Sequence, residues 1–350
     1  MNQRSWKLLI AVVALAVCLG VGALALRSAL VNPQSNRGPI DPASVVAQGL
    51  QSKDPDTLPF SAAILAKRGD KRAAEEFLGQ AKSDNDDCRF KVAWAAGKAG
   101  GDCFERGISA LMNDPLSLVR QQTAYCLAFS AEPAAGNLLQ QRLRIEEDAL
   151  VRNALCEALI IRGEKIDLDL LRKAITRPSS GDVYRERVFL AMAGEPSVIE
   201  WARKMVYYRA RSRPDAVEIL VVSGDRRYLD DMLDLAAKGT EDQKIGALDV
   251  LRHCLDDPRA LNVLSGALDD SPSRSCAEAA RGLLASGRKD AWDVLRGYMK
   301  ANPGSDVTEF ILRQAPVEKM DISSDTLKKL LEEGRPVTRI IAAGEILRRG

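Results

Sequence analysis

A short pattern recurs about every 31 residues along most of the chain, and this period limits the possible folds more than any other feature. The clearest copies contain Val119-Arg120 and Val151-Arg152. Ten copies are centred on positions that we call anchors: Leu58, Arg89, Arg120, Arg152, Arg185, Arg213, Lys244, Cys276, Thr308 and Arg339. The residues four and seven positions after every anchor are apolar, and this spacing places side chains on one face of an α-helix. The period therefore predicts ten stacked helices of one kind.

A second helix is predicted between successive anchors. Glycine stands eleven residues after six of the anchors, where it can adopt the left-handed conformation that ends a helix. These glycines are Gly69, Gly100, Gly163, Gly224, Gly287 and Gly350. A second apolar stripe follows, as in Leu229, Met232 and Leu233, and turn-forming residues such as Asp114-Pro115 precede the next anchor. Each unit is therefore predicted to be a helical hairpin.

Residues 113–120, with the sequence Asn-Asp-Pro-Leu-Ser-Leu-Val-Arg, lead into Ala124-Tyr125-Cys126-Leu127, and residues 149–159 repeat the pattern. This arrangement resembles the HEAT repeat family, and specifically the short HEAT-like repeats of the phycobilisome-lyase type. The resemblance covers about residues 41–350. It implies an all-α fold, an α-α superhelix or solenoid of about ten helical hairpins, whose surfaces bind partners.

The ends of the array and one interior step depart from the regular unit. Residues 42–51 fit the second helix of a preceding unit, and residues 339–349 fit the first helix of a final one. The step from Arg185 to Arg213 is 28 residues, the shortest in the array. We expect the curvature or twist to change there.

An apolar segment precedes the array. Residues 8–26, from Leu8 to Leu26, carry no charge and follow a short tail, residues 1–7. A helix of that length is about 28 Å long, close to the thickness of a bilayer core. We expect an uncleaved transmembrane anchor. A cleaved signal peptide is the alternative, because Ala23-Leu24-Ala25 loosely matches a cleavage site.

The charges around this segment predict its orientation. Arg4 and Lys7 precede it and Arg27 follows it, which places the amino terminus in the cytoplasm and the array outside, in a periplasmic or extracellular space. Residues 27–41 are then a flexible linker, and residues 42–350 form the HEAT-like array. The predicted localisation is a single-pass membrane protein.

Composition argues against catalysis and against bulk binding of nucleic acid. Fifty basic and 48 acidic residues give a net charge of +2, and His253 is the single histidine. The cysteines contain no Cys-x-x-Cys, and Gly100-Gly101 lacks the Lys-Ser/Thr of a phosphate-binding loop. We therefore expect no catalytic residue, metal or cofactor, and no nucleic-acid partner.

Two groups of residues stand out as candidate partner contacts. The position five residues after the anchor is charged in several units, such as Glu157 and Asp249, so we expect it to face solvent. Trp94 and Tyr125 occupy it in neighbouring units and would form an exposed aromatic patch, or else fill gaps between repeats. The second group has five cations and no acid within residues 201–213. Its candidate residues are Arg203, Lys204, Tyr207, Tyr208, Arg209 and Arg211.

The sequence thus predicts a membrane-tethered, non-catalytic scaffold that binds a protein partner, one that presents an acidic segment if residues 201–213 make the contact. Three alternatives remain. Cleavage of the apolar segment would leave an exported soluble binding protein, and the resemblance to bilin lyases would imply a cofactor-handling enzyme. The third is a nucleic-acid binder that uses residues 201–213, which would need a cytoplasmic location that the charge bias disfavours. The oligomeric state cannot be deduced from the sequence.

Overall fold

A computed structural model describes residues 39–100, 102–176, 184–208, 213–269 and 273–350. Within these residues the secondary structure is helical, with twenty α-helices and two short 3₁₀ turns, as the all-α prediction requires. The compact unit that contains them runs from Pro42 to Gly350.

The predicted membrane topology needs a correction. In the described part of the chain, no helix is both long enough and apolar enough to cross a bilayer, and this finding contradicts a single-pass membrane localisation. Residues 1–38, which include the predicted tail, the predicted anchor Leu8 to Leu26 and most of the predicted linker, lie outside the described residues.

Helices alternate between two layers. The inner layer holds the anchor helices: α2 (Leu58–Lys67), α4 (Asp86–Ala95), α6 (Ser117–Leu127), α8 (Ala149–Ile161), α10 (Tyr184–Met192), α12 (Arg213–Val222), α14 (Glu241–Leu251), α16 (Arg274–Ala285), α18 (Asp306–Gln314) and α20 (Pro336–Arg349). The outer layer holds α1 (Pro42–Gln51), α3 (Lys71–Ala81), α5 (Asp102–Met112), α7 (Ala134–Ile145), α9 (Leu168–Thr176), α11 (Pro196–Tyr207), α13 (Leu229–Lys238), α15 (Pro258–Ala267), α17 (Lys289–Ala301) and α19 (Ser324–Glu333).

The predicted apolar face is the buried face of the inner helices. The residue four positions after the anchor is buried in all ten units, from Ala62 in α2 to Ala343 in α20. The residue seven positions after it is buried in most units, as Leu127 and Leu159 show. Removal of these apolar side chains from water is the main favourable contribution to the packing of a hairpin on its neighbours.

The predicted helix ends are also confirmed where glycine must take a left-handed conformation. Gly69 and Gly224, which follow α2 and α12, have φ values of 92° and 97°. Asp70 then caps α3, because its carboxylate accepts hydrogen bonds from the backbone N–H groups of Arg72 and Ala73. Glycine ends the inner helix and the aspartate begins the outer one.

The two ends of the array meet, a contact that the repeat pattern did not predict. Helix α1 packs against both α20 and α2, so it supplies the outer helix that the tenth unit lacks. The Arg68 guanidinium donates a hydrogen bond of 2.8 Å to the backbone oxygen of Leu347 across the junction. Within Pro42–Gly350 the solenoid is therefore a closed ring in which the first and last helices form one hairpin.

Closure also brings distant inner helices face to face. Helix α18 contacts α4 and α6 in addition to its sequence neighbours. Each of the ten inner helices packs on the next, and α20 packs on α2.

The ring has two edges, which are defined by the turns between its helices. The linker edge holds the turns that lead into inner helices, such as residues 113–116 and 146–148, and the hairpin edge holds the turns that follow them, such as residues 68–70 and 128–133.

Candidate functional site

The anchor arginines connect neighbouring units at the linker edge. Arg89 binds both carboxylate oxygens of Asp114, at 2.5 and 3.2 Å, and Arg120 binds both oxygens of Glu146, each at 2.9 Å. All four side chains are buried. Each carboxylate stands six residues before the next anchor, so the arginine of one unit fixes the linker of the following unit. A bidentate pair of this kind sets the geometry as well as the charge balance.

Hydrogen bonding keeps the Glu146 carboxylate ionised. Burial alone would raise its pKa, but hydrogen bonds from Arg120 and Arg142 lower the pKa of Glu146 to about 2. Arg120 also donates to the backbone oxygens of Asp114 and Pro115, at 2.8 and 3.1 Å. One guanidinium therefore ties together two consecutive linkers, residues 113–116 and 146–148.

Large apolar side chains are exposed on this rigid framework. Four of them, Leu116, Leu118, Ile145 and Leu150, are 36–65% exposed, and we call them the leucine patch. Leu118 and Leu150 both stand two residues before an anchor, on α6 and α8, which pack side by side. Neighbouring helix axes lie about 8–10 Å apart, so these side chains belong to one surface.

The sequence contains a signal for this patch that the analysis of the repeat missed. The position two residues before the anchor is charged in six of the ten units, for example Asp87, Asp242 and Asp306. The other four units carry an apolar residue, and two of these, Leu118 and Leu150 in the third and fourth units, are large and exposed, whereas Val337 is buried. A large exposed apolar residue at a position that is mostly charged indicates a contact surface.

Trp94 and Tyr125 do not lie on an exposed surface. Both are half-buried, since the position five residues after the anchor faces the opposite side of the closed ring. Trp94 packs edge-to-face with Phe310, with ring centroids 6.4 Å apart, and the Arg281 guanidinium lies 5.7 Å from the Tyr125 ring. The expectation that this position faces solvent is wrong, because ring closure converts the inner face into interior.

Three charged residues at the same position, Glu157, Asp249 and Arg281, form a cross-ring cluster with Arg185 and Arg252. Arg252 binds Glu157, which lies 95 residues earlier in the chain, and contacts Asp249 at 2.9 Å. Burial opposes ionisation of Glu157, but the charges of Arg252 and Arg281 lower its pKa to about 2. Arg281 also binds Glu278 at 2.9 Å, so three cations meet three carboxylates, and the cluster fastens the two sides of the ring together.

His253 borders this cluster and remains neutral. Burial, together with the charge of Arg252, lowers the pKa of His253 to about 3, and its Nε2 atom has no hydrogen-bond partner among the described residues. Cys254 beside it is buried, and its pKa is raised by the same desolvation. The described His, Cys, Asp and Glu side chains contain no group of three that could hold a metal ion.

The structure describes part of the predicted basic segment. Tyr207 and Tyr208, at the end of α11, are 80% and 71% exposed and pack edge-to-face with centroids 5.0 Å apart. Arg203 is exposed, and Lys204 forms an exposed ion pair of 2.8 Å with Glu200. Arg209 and Arg211 lie outside the described residues. The role of this segment in partner binding stays a prediction.

Tyr207 and Tyr208 lie at the same edge as the leucine patch. Outer helices end at the linker edge, and inner helices begin there. Within the described ranges, all six large hydrophobic side chains that are clearly exposed, these two tyrosines and the four residues of the leucine patch, belong to that edge. The hairpin edge has none of them, and apolar exposure is therefore confined to one edge of the ring.

Comparison with known proteins bears mainly on the repeat. No curated protein matches the chain. Among solved structures, human deoxyhypusine hydroxylase in complex with glycerol has a TM-score of 0.32 and 19% identity, over 71% of this chain and 95% of that one. An engineered protein has a TM-score of 0.26 and 14% identity, over 89% of this chain and 84% of that one. The family model for HEAT repeats matches residues 104–193, and this match supports the assignment of the chain to a HEAT-repeat family.

Proposed function

We propose that this protein is a scaffold that binds a partner protein at its linker edge and carries out no chemistry of its own. The observation that carries the proposal is the leucine patch, four large apolar side chains exposed on two consecutive units. Exposed apolar side chains that cluster on a rigid surface are typical of protein–protein contacts. The match to HEAT repeats agrees with this role, since such repeats generally mediate protein interactions.

The patch is held ready for binding without rearrangement. Asp148 caps α8 by accepting hydrogen bonds from the backbone N–H groups of Leu150 and Val151, at 2.9 and 3.2 Å. Arg142 joins the two linkers again through Asn113, at 3.1 Å. Because the backbone under the leucines is already ordered, binding loses little conformational entropy.

The chemistry of the patch suits an apolar segment of another chain. The buried charges beneath it, Arg120, Arg142 and Glu146, bind one another and are not available to a partner. A second contact at Tyr207 and Tyr208, next to the exposed cations Arg203 and Lys204, would suit an acidic stretch of the same partner. Stacking and charge would then add to apolar burial.

Site-specific crosslinking tests this function. A photoreactive amino acid at position 118 or 150 of the full-length chain, expressed in its own cells, should capture the partner, and the same group at Lys71 or Lys289 on the hairpin edge should not. The captured protein is then purified and its affinity for the wild-type chain is measured directly.

Charge introduction provides the quantitative part of the test. Leu118→Glu combined with Leu150→Glu should weaken binding of the purified partner at least 10-fold, and the matched hairpin-edge pair Lys71→Glu and Lys289→Glu should leave it unchanged. Equal crosslinking at both edges, or unchanged affinity in the leucine double variant, would show that the linker edge is not the binding surface.

A further inference from the structure

A cavity of about 210 Å³ opens at the hairpin edge, opposite the leucine patch. It lies where the carboxyl-terminal ends of five inner helices, α2, α4, α6, α18 and α20, come together. Its walls are mainly apolar and include Ile64, Phe129, Val317 and Ile341. Because α2 and α20 belong to the first and last units, the cavity exists only in the closed ring.

The charged residues around the cavity are mostly basic. Five cations line it, namely Lys67, Arg68, Lys98, Lys319 and Arg348. The two lining carboxylates are already paired: Glu318 binds Lys67 at 2.6 Å, and Glu345 binds Arg348 at 2.7 Å and also Arg349. Five cations and two carboxylates leave a net charge of +3 around an apolar space.

Three of these cations, Arg68, Lys98 and Lys319, form no ion pair with a described carboxylate, and among the three only Lys98 is not exposed. Its ammonium donates a hydrogen bond to the backbone oxygen of Ala315, and no described carboxylate lies within ion-pair distance of it. Desolvation lowers the pKa of Lys98 to about 8. A cation withdrawn from water against apolar walls is unfavourable unless an anion approaches it.

We propose that this cavity binds a small molecule with one carboxylate and an apolar body, such as a medium-chain fatty acid, with the carboxylate placed against Lys98. The anion would supply the missing counter-charge, and the hydrocarbon would contact Ile64, Phe129 and Val317. A cavity of about 150 Å³ accommodates the six carbons of benzene, so this one encloses about eight of the ten non-hydrogen atoms of octanoate, and the others lie at its opening. The proposal goes beyond the protein-binding function and does not depend on it.

Calorimetric titration of the full-length protein with octanoate tests the site, with octanol and octylamine as probes of equal chain length. Octanoate should bind saturably with one site per chain, and octylamine should not bind, because its ammonium would meet Lys98. Lys98→Met should weaken octanoate binding at least 10-fold and leave octanol unchanged. Lys319→Met, a matched change of an exposed lysine at the same cavity, should alter octanoate affinity less than 3-fold.

A steric variant tests the location independently. Ala131 is exposed at the cavity, so Ala131→Trp should block entry of octanoate and octanol without disturbing the core. Circular dichroism and the thermal midpoint establish that each variant remains folded.

Proton uptake identifies the group that meets the carboxylate. Because desolvation lowers the pKa of Lys98 to about 8, binding of an anion beside it should be accompanied by net proton uptake near that pH. Titrations in two buffers with different ionisation enthalpies measure this uptake, which should fall to zero in Lys98→Met. Absence of saturable octanoate binding, or octanoate binding by folded Ala131→Trp and Lys98→Met equal to that of the wild type, would overturn the proposal.

Discussion

The leucine patch at the linker edge and the cavity at the hairpin edge differ in how the charges beside them are paired. At the linker edge, anchor arginines such as Arg120 are buried against carboxylates, and the exposed surface above them is apolar. At the hairpin edge, Arg162 donates instead to backbone oxygens of Leu127 and Ser130, at 3.0 and 2.7 Å, and Lys98 donates to that of Ala315. Pairing of the charges beneath the leucine patch leaves that surface suited to apolar contact with a protein, whereas the unmatched cations around the cavity suit it to an anion.

The comparison predicts its largest effect for two matched substitutions of arginine. Arg120→Met leaves the buried Glu146 with one of its two cations, so it should lower the free energy of unfolding by about 3–5 kcal/mol. Arg162→Met removes hydrogen bonds to carbonyls without stranding a charge, and should cost about 1.5–3 kcal/mol. Urea unfolding measures both. Arg144→Met, which removes an exposed arginine at the linker edge, is the control and should change stability by less than about 0.5 kcal/mol.

Equal costs for Arg120→Met and Arg162→Met would contradict the contrast between the edges. Hydrogen exchange adds a spatial readout, since loss of protection after Arg120→Met should begin at α6 and α8. Because the ring is closed and the cross-ring cluster links its two sides, the loss of protection should then extend to α14 and α16. An open solenoid would instead confine the damage to neighbouring units.

Acid should lower the stability of the folded protein through Glu146 at the linker edge. The pKa of Glu146 is lowered to about 2 in the folded protein from its usual 4.5, mainly through hydrogen bonds that outweigh burial. The unfolded chain therefore binds the proton first, and the stability that Glu146 contributes is complete above about pH 4.5 and is lost as the pH falls towards 2. The difference in unfolding free energy between the wild type and Glu146→Gln should shrink across that interval. A constant difference from pH 6 to pH 2.5 would show that the pair contributes little.

Alkali should act on the hairpin edge, and here too stability should rise with pH, but over a higher interval. Desolvation lowers the pKa of Lys98 to about 8 from its usual 10.5, so between these values the unfolded chain holds the proton and the folded chain does not. Stability should therefore rise between about pH 8 and pH 10.5 in the wild type relative to Lys98→Met. Thermal unfolding of both proteins over this range measures the effect. Parallel profiles would indicate that Lys98 is solvated as well as in the unfolded chain.

The repeat and its buried face could be predicted because they depend on local spacing. Residues four and seven positions after an anchor lie on one helix face whatever the remainder of the chain does, and Ala124 and Leu127 are buried as expected. The inter-unit pairs could also have been found, because Asp114 and Glu146 both stand six residues before an anchor.

Other features depend on closure of the ring, which no local pattern encodes. Glu157 and Asp249 have the spacing of a solvated face, yet they are buried because the facing helices pack across the ring. Glu157 and Arg252 are 95 residues apart, and nothing in either unit specifies the other. The cavity beside Lys98 was missed for the same reason, since its walls come from the first and last units.

The smallest effect is expected at the predicted basic segment, where the linker edge carries exposed charge. Arg203→Glu combined with Lys204→Glu removes one exposed ion pair, with Glu200, and should change stability by less than about 1 kcal/mol. If the partner presents an acidic stretch to Tyr207 and Tyr208, its affinity should fall severalfold at low salt, mainly through slower association, and the deficit should shrink above about 0.3 M salt because exposed charges are screened. Surface plasmon resonance with the purified partner measures this, with Lys71→Glu and Lys289→Glu as the matched reversal at the hairpin edge. A deficit that persists at high salt would mean that the side chains of Arg203 and Lys204 pack directly against the partner and do not act through screened charge alone. An unchanged affinity at low salt would confine recognition to the leucine patch.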